Sequence, residues 1–447
     1  MISKAKESYE YLATFRRKRN RCRDYTYGRQ WNDLIEVNGK SISEYEYIIS
    51  EGNVPLKNNL IRRIVRNVLG VFRERLPDIM KEEYGTDSGL SADMVATMER
   101  IAAENSLSEL YCRTLEEFLI SGMAVHRKRL CRIDGSPHVV TEMVSPGSFF
   151  FNSDSRDIRG RDITLIGQIH EVGYSEWCAS FVKTKSDFKE VKSLFGSNTG
   201  RKLKVVELWQ KEMVPRYLVH DRKAGYVRKV SEEDIRAYRK SEYPQKWIMD
   251  EVWRYYFLTE EGRILKSGDS PYIHRSHPYI LKCYPFLDGE IQSFVGDMID
   301  QQRYTNRLIT LYDWVIRSSA KGVLLVPESA VDPADYQSMA DQWSRFNGVI
   351  VYKPKAGVPE PRQVSGNLNN LGISDLLEIQ LKMLEDVSGV NGILQGNTSG
   401  GNVSGTLYAS QTANALYSLS DILETFRGFI RDCARMDRGV ALGVTAS

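Results

Sequence analysis

The chain has 447 residues, 42% of them hydrophobic and 27% charged, with a net charge of +3. Its length exceeds the roughly 250–300 residues at which a single core stops growing, so at least two cores, or an elongated body with insertions, are expected. The composition excludes a disordered chain and a strongly basic chain such as a histone-like binder, and six scattered cysteines with no CxxC pair argue against a disulfide framework.

From Ser3 to about Asn20 the pattern predicts a helix that runs into "RRKRNRCR". Charge runs of this kind are usually solvated helix faces, and that reading is preferred over a nucleic-acid site. From Pro55 to Pro77, Leu60, Ile61, Ile64, Val65, Val68 and Leu69 recur at helical spacing, with Arg62, Arg63 and Arg66 beside them. Helices are expected near 91–105 and 107–121. The period then changes, and "GMAVHRKRLCRIDGSPHVVTEMV" predicts a hairpin turning at Asp134-Gly135. Strand-like runs follow at 161–172, 202–210, 215–221, 252–266 and 279–286, with short helices near 174–182 and 231–241. The fold class is therefore α+β, with antiparallel strands across about 122–286.

After Gly289 one helix of about thirty residues is predicted. A βαβ-like insert at 321–354 comes next, with strands "KGVLLVPE" and "VIVYKP" around a helix that has Asp332 at its N-cap and Pro333 at its first position. The Pro- and Gly-rich tract 353–372 reads as a loop, and a second helix begins at Ser374. Between Ser388 and Gln411 no Lys, Arg, Asp or Glu occurs, and six glycines fall between Gly389 and Gly405. A last helix is predicted from Thr406 to about Met436, with Ser404 as its cap. No stretch approaches the ~18 apolar residues of a membrane span, and the N-terminus lacks the apolar core of a signal peptide, so the chain is expected in cytoplasm-like conditions.

Chemistry is sparse. Gly396 and Gly401 have the spacing of a phosphate-binding loop, but Asn402 and Val403 stand where its Lys and hydroxyl belong, and the preceding segment is helical rather than a strand. His274 and His277 lack the companions that a structural zinc site needs. Asp297, Asp300 and Asp313 suit a solvated helix face better than acid–base work. No catalytic residue, metal or cofactor is assigned.

The order of elements in 289–440 resembles tailed-bacteriophage portal proteins. "GDMIDQQRYTNRL" resembles a first stem helix, "GVLLVPESA" with "GVIVYKP" resembles clip strands, and "DVSGVNGILQGNTSGGNVSGTLYASQ" looks like a stem end, tunnel loop and helix start. "PLKNNLIRRIVRNVLG" and "VSPGSFFFNSDSRD" look like parts of a wing. The resemblance implies a wing body at 1–288, helical to about 121 and then rich in strands. It places a first stem helix at 289–320, a clip at 321–370, a second stem helix at 371–388 and a tunnel loop at 389–405. The long wing helix would span 406–447, with the crown absent or truncated.

It further implies a non-enzymatic ring, usually of twelve copies, at one capsid vertex of the virion. The ring is assembled in the host cytoplasm and touches no membrane. Its partners would be terminase, a tail adaptor, the major capsid or scaffolding protein, and double-stranded DNA passing non-specifically. Val390, Asn391, Gln395, Asn397, Thr398 and Asn402 would face the DNA. Asp297, Asp300, Arg303 and Arg307 would lie at subunit contacts or on the channel wall, and Asp335, Arg345, Tyr352, Lys353 and Lys355 would meet clip partners. The alternatives are a head–tail or capsid structural protein without a channel, or a nucleotide-dependent packaging enzyme.

Overall fold

The computed structural model describes residues 1–85, 89–133, 136–196, 200–221, 225–238, 243–321, 323–327, 332–344, 357, 362–364, 372–390 and 417–445. The first predicted helix is two, α1 (Ile2–Tyr11) and α2 (Ala13–Thr26), meeting at the buried Leu12. In the basic run, Arg19 departs from the solvated reading. It is buried, and its Nε lies 2.6 Å from Glu117 Oε1. A hairpin follows, β1 (Leu34–Val37) and β2 (Lys40–Ser43), turning on Asn38-Gly39, both at positive φ. That is the dipeptide such two-residue turns favour. It leads into α3 (Glu44–Ser50), which Ser43 and Glu46 start with a reciprocal capping box.

Helix α4 (Leu60–Tyr84) continues past Pro77, and Leu76 and Tyr84 on either side of that proline are buried. α5 (Ala92–Glu104) and α6 (Leu107–Ser121) lie close to where the sequence places them. Helix α6 stops at Gly122 for two reasons. Its φ is +78°, and a Cβ there would sit 1.7 Å from the Gln292 carbonyl oxygen.

The strand-rich part begins with the expected hairpin, β3 (Met123–Ile133) and β4 (Ser136–Met143), whose turn lies outside the described residues. Then come β5 (Phe149–Phe151), β6 (Leu165–Val172), α7 (Tyr174–Phe181) and α8 (Lys185–Phe195). The two strands expected at 202–210 and 215–221 are one, β7 (Leu203–Asp221). Pro215 is tolerated because pairing with β6 ends at Gln210 and pairing with β8 (Tyr226–Ser231) starts at Arg216, so only β9 (Gln245–Thr259) flanks it. The helix expected near 231–241 is a single 3-10 turn, Asp234–Ala237. β10 (Ile264–Asp269) and β11 (Tyr279–Cys283) follow.

The long helix expected from 289 starts ten residues later. Asp288-Gly289, both at positive φ, turn a small hairpin of β12 (Phe286–Leu287) and β13 (Glu290–Ile291). A 3-10 turn at Gly296–Met298 then feeds α9 (Ile299–Lys321). In the insert, β14 (Val323–Leu325) is followed by α10 (Tyr336–Ser344). The described partner of β14 is β15 (Arg362–Val364), antiparallel and inside the tract read as a loop, whereas "VIVYKP" lies outside the described residues. α11 (Ile373–Ser388) and α12 (Ser420–Thr445) complete the chain.

These elements form two compact units. One comprises 1–27, 61–299 and 388–447, and the other 28–60 with 300–387. Residues 28–60, expected in the first body, therefore group with α9 and α11. In the larger unit the sheet order is β10-β9-β7-β6-β5 with β8 on β7, beside a second sheet, β11-β3-β4. Phe149, Phe150, Phe151, Leu208 and Trp209 share one core. Helix α12 is covered by its own chain, with Phe426 against Phe72 and Phe118 at 5.3 and 5.7 Å between ring centroids. Beside it lies a buried polar cluster. Lys128 Nζ donates to Asp437 Oδ2 at 2.6 Å and to Thr141 Oγ1 at 2.8 Å, and the Tyr84 hydroxyl reaches the same Asp437 oxygen at 2.8 Å.

Candidate functional site

Within the smaller unit, α9 turns a polar face inward. Gln302, Thr305 and Asn306 are fully buried. The irregular stretch before α4 has backbone groups with no ladder to join, and α9 supplies their partners. Gln302 Oε1 accepts from Leu60 N at 2.9 Å, and Gln302 Nε2 donates to the Asn58 carbonyl at 2.7 Å. Asn306 Oδ1 accepts from Asn58 N at 3.2 Å, and Thr310 Oγ1 from Leu56 N at 3.2 Å. Asn306 Nδ2 also donates to Gln30 Oε1 at 2.7 Å.

Beside this face, the capping box at Ser43 sets Glu44 at the start of α3, where it is buried. Arg303 Nε donates to Glu44 Oε1 at 2.8 Å, and Nη2 of both Arg303 and Arg307 converges on the same oxygen. Asp33 Oδ2 lies 3.9 Å from Arg303. Two guanidiniums so placed make α9 continuous with the β1–β2 hairpin. The sequence signals for that arrangement are Asn38-Gly39 and "SEYE".

Another side of α9 exposes large apolar residues. Tyr304, Leu311 and Trp314 lie with Arg307 at spacings of three and four along one stripe, and all are exposed. Trp314 and Leu311 border a cavity of about 500 Å³ shared with Trp31, Tyr47, Ile48 and Glu44. Helix α11 repeats the pattern. Ile373 and Leu377 pack on Leu308 and Val315 of α9, while Leu376, Ile379, Met383 and Val387, spaced three, four and four apart, stay 40–49% exposed. Four large apolar residues in register on one helix are not scattered surface residues; they form a face that no described residue covers fully.

The residues singled out from the sequence divide as follows. Arg303 and Arg307 come together on Glu44, and Asp300 is exposed at the start of α9. Asp297 belongs to the other unit, on the surface, where partial burial raises its carboxyl pKa. Asp335 is exposed in the 3-10 turn Pro333–Asp335. Val390, expected to project into a channel, is instead fully buried, its amide donating to Ser388 Oγ at 3.2 Å. Further along the chain, Ser418 Oγ donates to the Gly389 carbonyl at 2.8 Å. Asn391, Gln395, Asn397, Thr398, Asn402 and Ser404 lie outside the described residues, as do Arg345, Tyr352, Lys353 and Lys355.

Among the described residues no group of three or more His, Cys, Asp or Glu is placed to hold a metal ion. None of the described helices is long and apolar enough to cross a membrane. Against known proteins, a family model described as phage P22-like portal protein matches residues 3–436. No curated protein matches the chain.

Proposed function

This chain belongs to the phage P22-like portal protein family, and from that membership we propose that its copies close into a ring whose channel passes DNA during packaging and ejection. The supporting observation is the pair of uncovered apolar stripes on α9 and α11. A head-to-tail contact between identical copies generates a ring when its rotation closes, and such a contact would bury one stripe of each copy against its neighbour. Arg303 and Arg307 then serve the ring indirectly. Their bonds to Glu44 fix the β1–β2 hairpin against α9 and set the edge of the contact surface, while Asp300 reaches the neighbour or the channel wall. Twelve copies is the number the family usually forms.

The neutral segment 391–405 is proposed as the tunnel loop. Each Lys or Arg that contacts phosphate adds salt-dependent affinity, and a ring would multiply that drag by its copy number. A loop without charge, bearing Asn391, Gln395, Asn397, Thr398 and Asn402, lets duplex DNA slide. Asp335, Arg345, Tyr352, Lys353 and Lys355 are proposed to meet terminase and then the tail adaptor, and the capsid or scaffolding protein would hold the ring at its vertex. Negative-stain imaging of the purified full chain tests the reading. Rings with a central hole are expected, and a strictly monomeric species across salt and concentration would reject it.

A further inference from the structure

The larger unit carries a second constellation, unrelated to the uncovered stripes. Arg62, Arg66 and Arg73 lie at i, i+4 and i+11 along one face of α4, and Arg113 of α6 joins them around a cavity of about 350 Å³. Two carboxylates answer these four guanidiniums. Glu116, nearly buried, bonds Arg62 and lies 3.6 Å from Arg113. Glu109 takes Arg113 at 3.0 Å and Arg73 at 3.6 Å. Arg66 makes no ion pair among the described residues and is exposed. Arg62 is further held over the Tyr27 ring, 4.7 Å from its centroid. The cavity thus keeps an excess of two positive charges, with two of its guanidiniums oriented by fixed partners.

An independent feature lies on the cavity floor. Gly70 stands on the same helix face between Arg66 and Arg73, in the interior of a 25-residue helix. Glycine weakens a helix interior relative to alanine. No packing demands it here, because a Cβ at Gly70 would meet nothing within 4 Å. What glycine provides is bare backbone at the centre of a ring of guanidiniums.

We infer that this cavity is an oxyanion site of the phosphate class, in which the forked donors of Arg66 and Arg73 grip an anion lying over Gly70 while Arg62 and Arg113 complete its charge. Arginine suits this task because its planar guanidinium presents paired donors that match two phosphate oxygens. The anion is either a backbone phosphate of duplex DNA or a free phosphate. The inference does not depend on ring closure.

The experiment titrates the full chain with a fluorescent 30-base-pair duplex across salt and, separately, with pyrophosphate by calorimetry. The double variant Arg66→Glu/Arg73→Glu should lose at least tenfold in duplex affinity at low salt. The slope of log K against log salt should fall by about 0.9, the contribution of the one phosphate that the two guanidiniums share. Arg17→Glu/Lys18→Glu on α2 carries the same charge change elsewhere and should leave both quantities near the parent. Gly70→Ala should raise the melting temperature while weakening anion binding, which keeps the test decisive if the double variant folds poorly. Loss of pyrophosphate binding with duplex binding intact identifies the ligand as free phosphate. Unchanged binding of both ligands in the double variant and in Gly70→Ala overturns the site, as does an equal effect from the α2 control.

Discussion

Helices α12 and α11 are both amphipathic, yet the chain treats them oppositely. In α12, Phe426, Phe429, Ile430, Cys433 and Ala434 are wholly buried, covered by elements of the same unit. In α11, Leu376, Ile379, Met383 and Val387 face outward. The larger unit covers the apolar side of α12 within one chain and can even bury a charge pair beside it. The smaller unit stabilises its inner face with amides and ion pairs, and apolar residues of α9 and α11 stay exposed. Where a helix spends its hydrophobic side is what would separate a structural role from the proposed assembly role, although composition alone looks alike.

The largest expected effect sharpens that contrast at Asp437. Asp437→Ala would strand the Lys128 ammonium in a site where its side chain is 1% exposed, costing about 3–5 kcal/mol. Urea unfolding should report this loss in the larger unit, and Lys128→Met/Asp437→Leu should recover most of it. Second comes Leu311→Ser/Trp314→Ser in the smaller unit. Burial of each such side chain is worth about 1.5–3 kcal/mol, so assembly by light scattering should shift to at least tenfold higher concentration. The monomer's melting temperature should hardly move, and a large drop there would erase the proposed distinction.

Third, Glu44→Gln removes the carboxylate shared by Arg303 and Arg307. A loss of about 2 kcal/mol is expected for a charged hydrogen-bonded group of this kind, seen as faster amide exchange along 28–60 while α12 stays protected. The smallest effect concerns pH. Burial holds His126 well below the usual histidine pKa and His277 at about 3. The folded chain therefore keeps both neutral, whereas the unfolded chain takes up protons near 6.5. The stabilisation is complete above that value and is lost as pH falls through it, by about 0.8 kcal/mol per histidine at pH 6. All six histidines lie in the larger unit, so mild acid should destabilise that unit alone. His126→Gln/His277→Gln should flatten its pH dependence.

Much of the fold was legible where one period dominated. The stripe Ile61, Ile64, Val65 and Val68 is buried as its spacing required, and the β3–β4 hairpin pairs as read. Local turn chemistry was legible but overlooked. Asn38-Gly39 and Asp288-Gly289 each announce a hairpin, and missing the second lengthened α9 by ten residues. Other features depend on tertiary context. Leu376, Leu384 and Val387 are all apolar residues of α11, yet only Leu384 is buried, because sequence pattern marks hydrophobic residues without saying which ones the chain itself covers. Arg19 likewise sits inside a basic run, and only Glu117, 98 residues away, makes its burial tolerable.

The backbone changes unit four times, at 27/28, 60/61, 299/300 and 387/388. The smaller unit is therefore sewn from two separated pieces of chain, and no single contiguous fragment contains it. The bond from Leu60 N to Gln302 Oε1 brings the end of one piece beside the start of the other. Splicing 28–60 to 300–387 through a short linker should yield a miniature that keeps the Glu44 clamp and both uncovered stripes. The same stitching means that a protease nick in any one crossing leaves three covalent threads between the units, so a cut connector would still bear load.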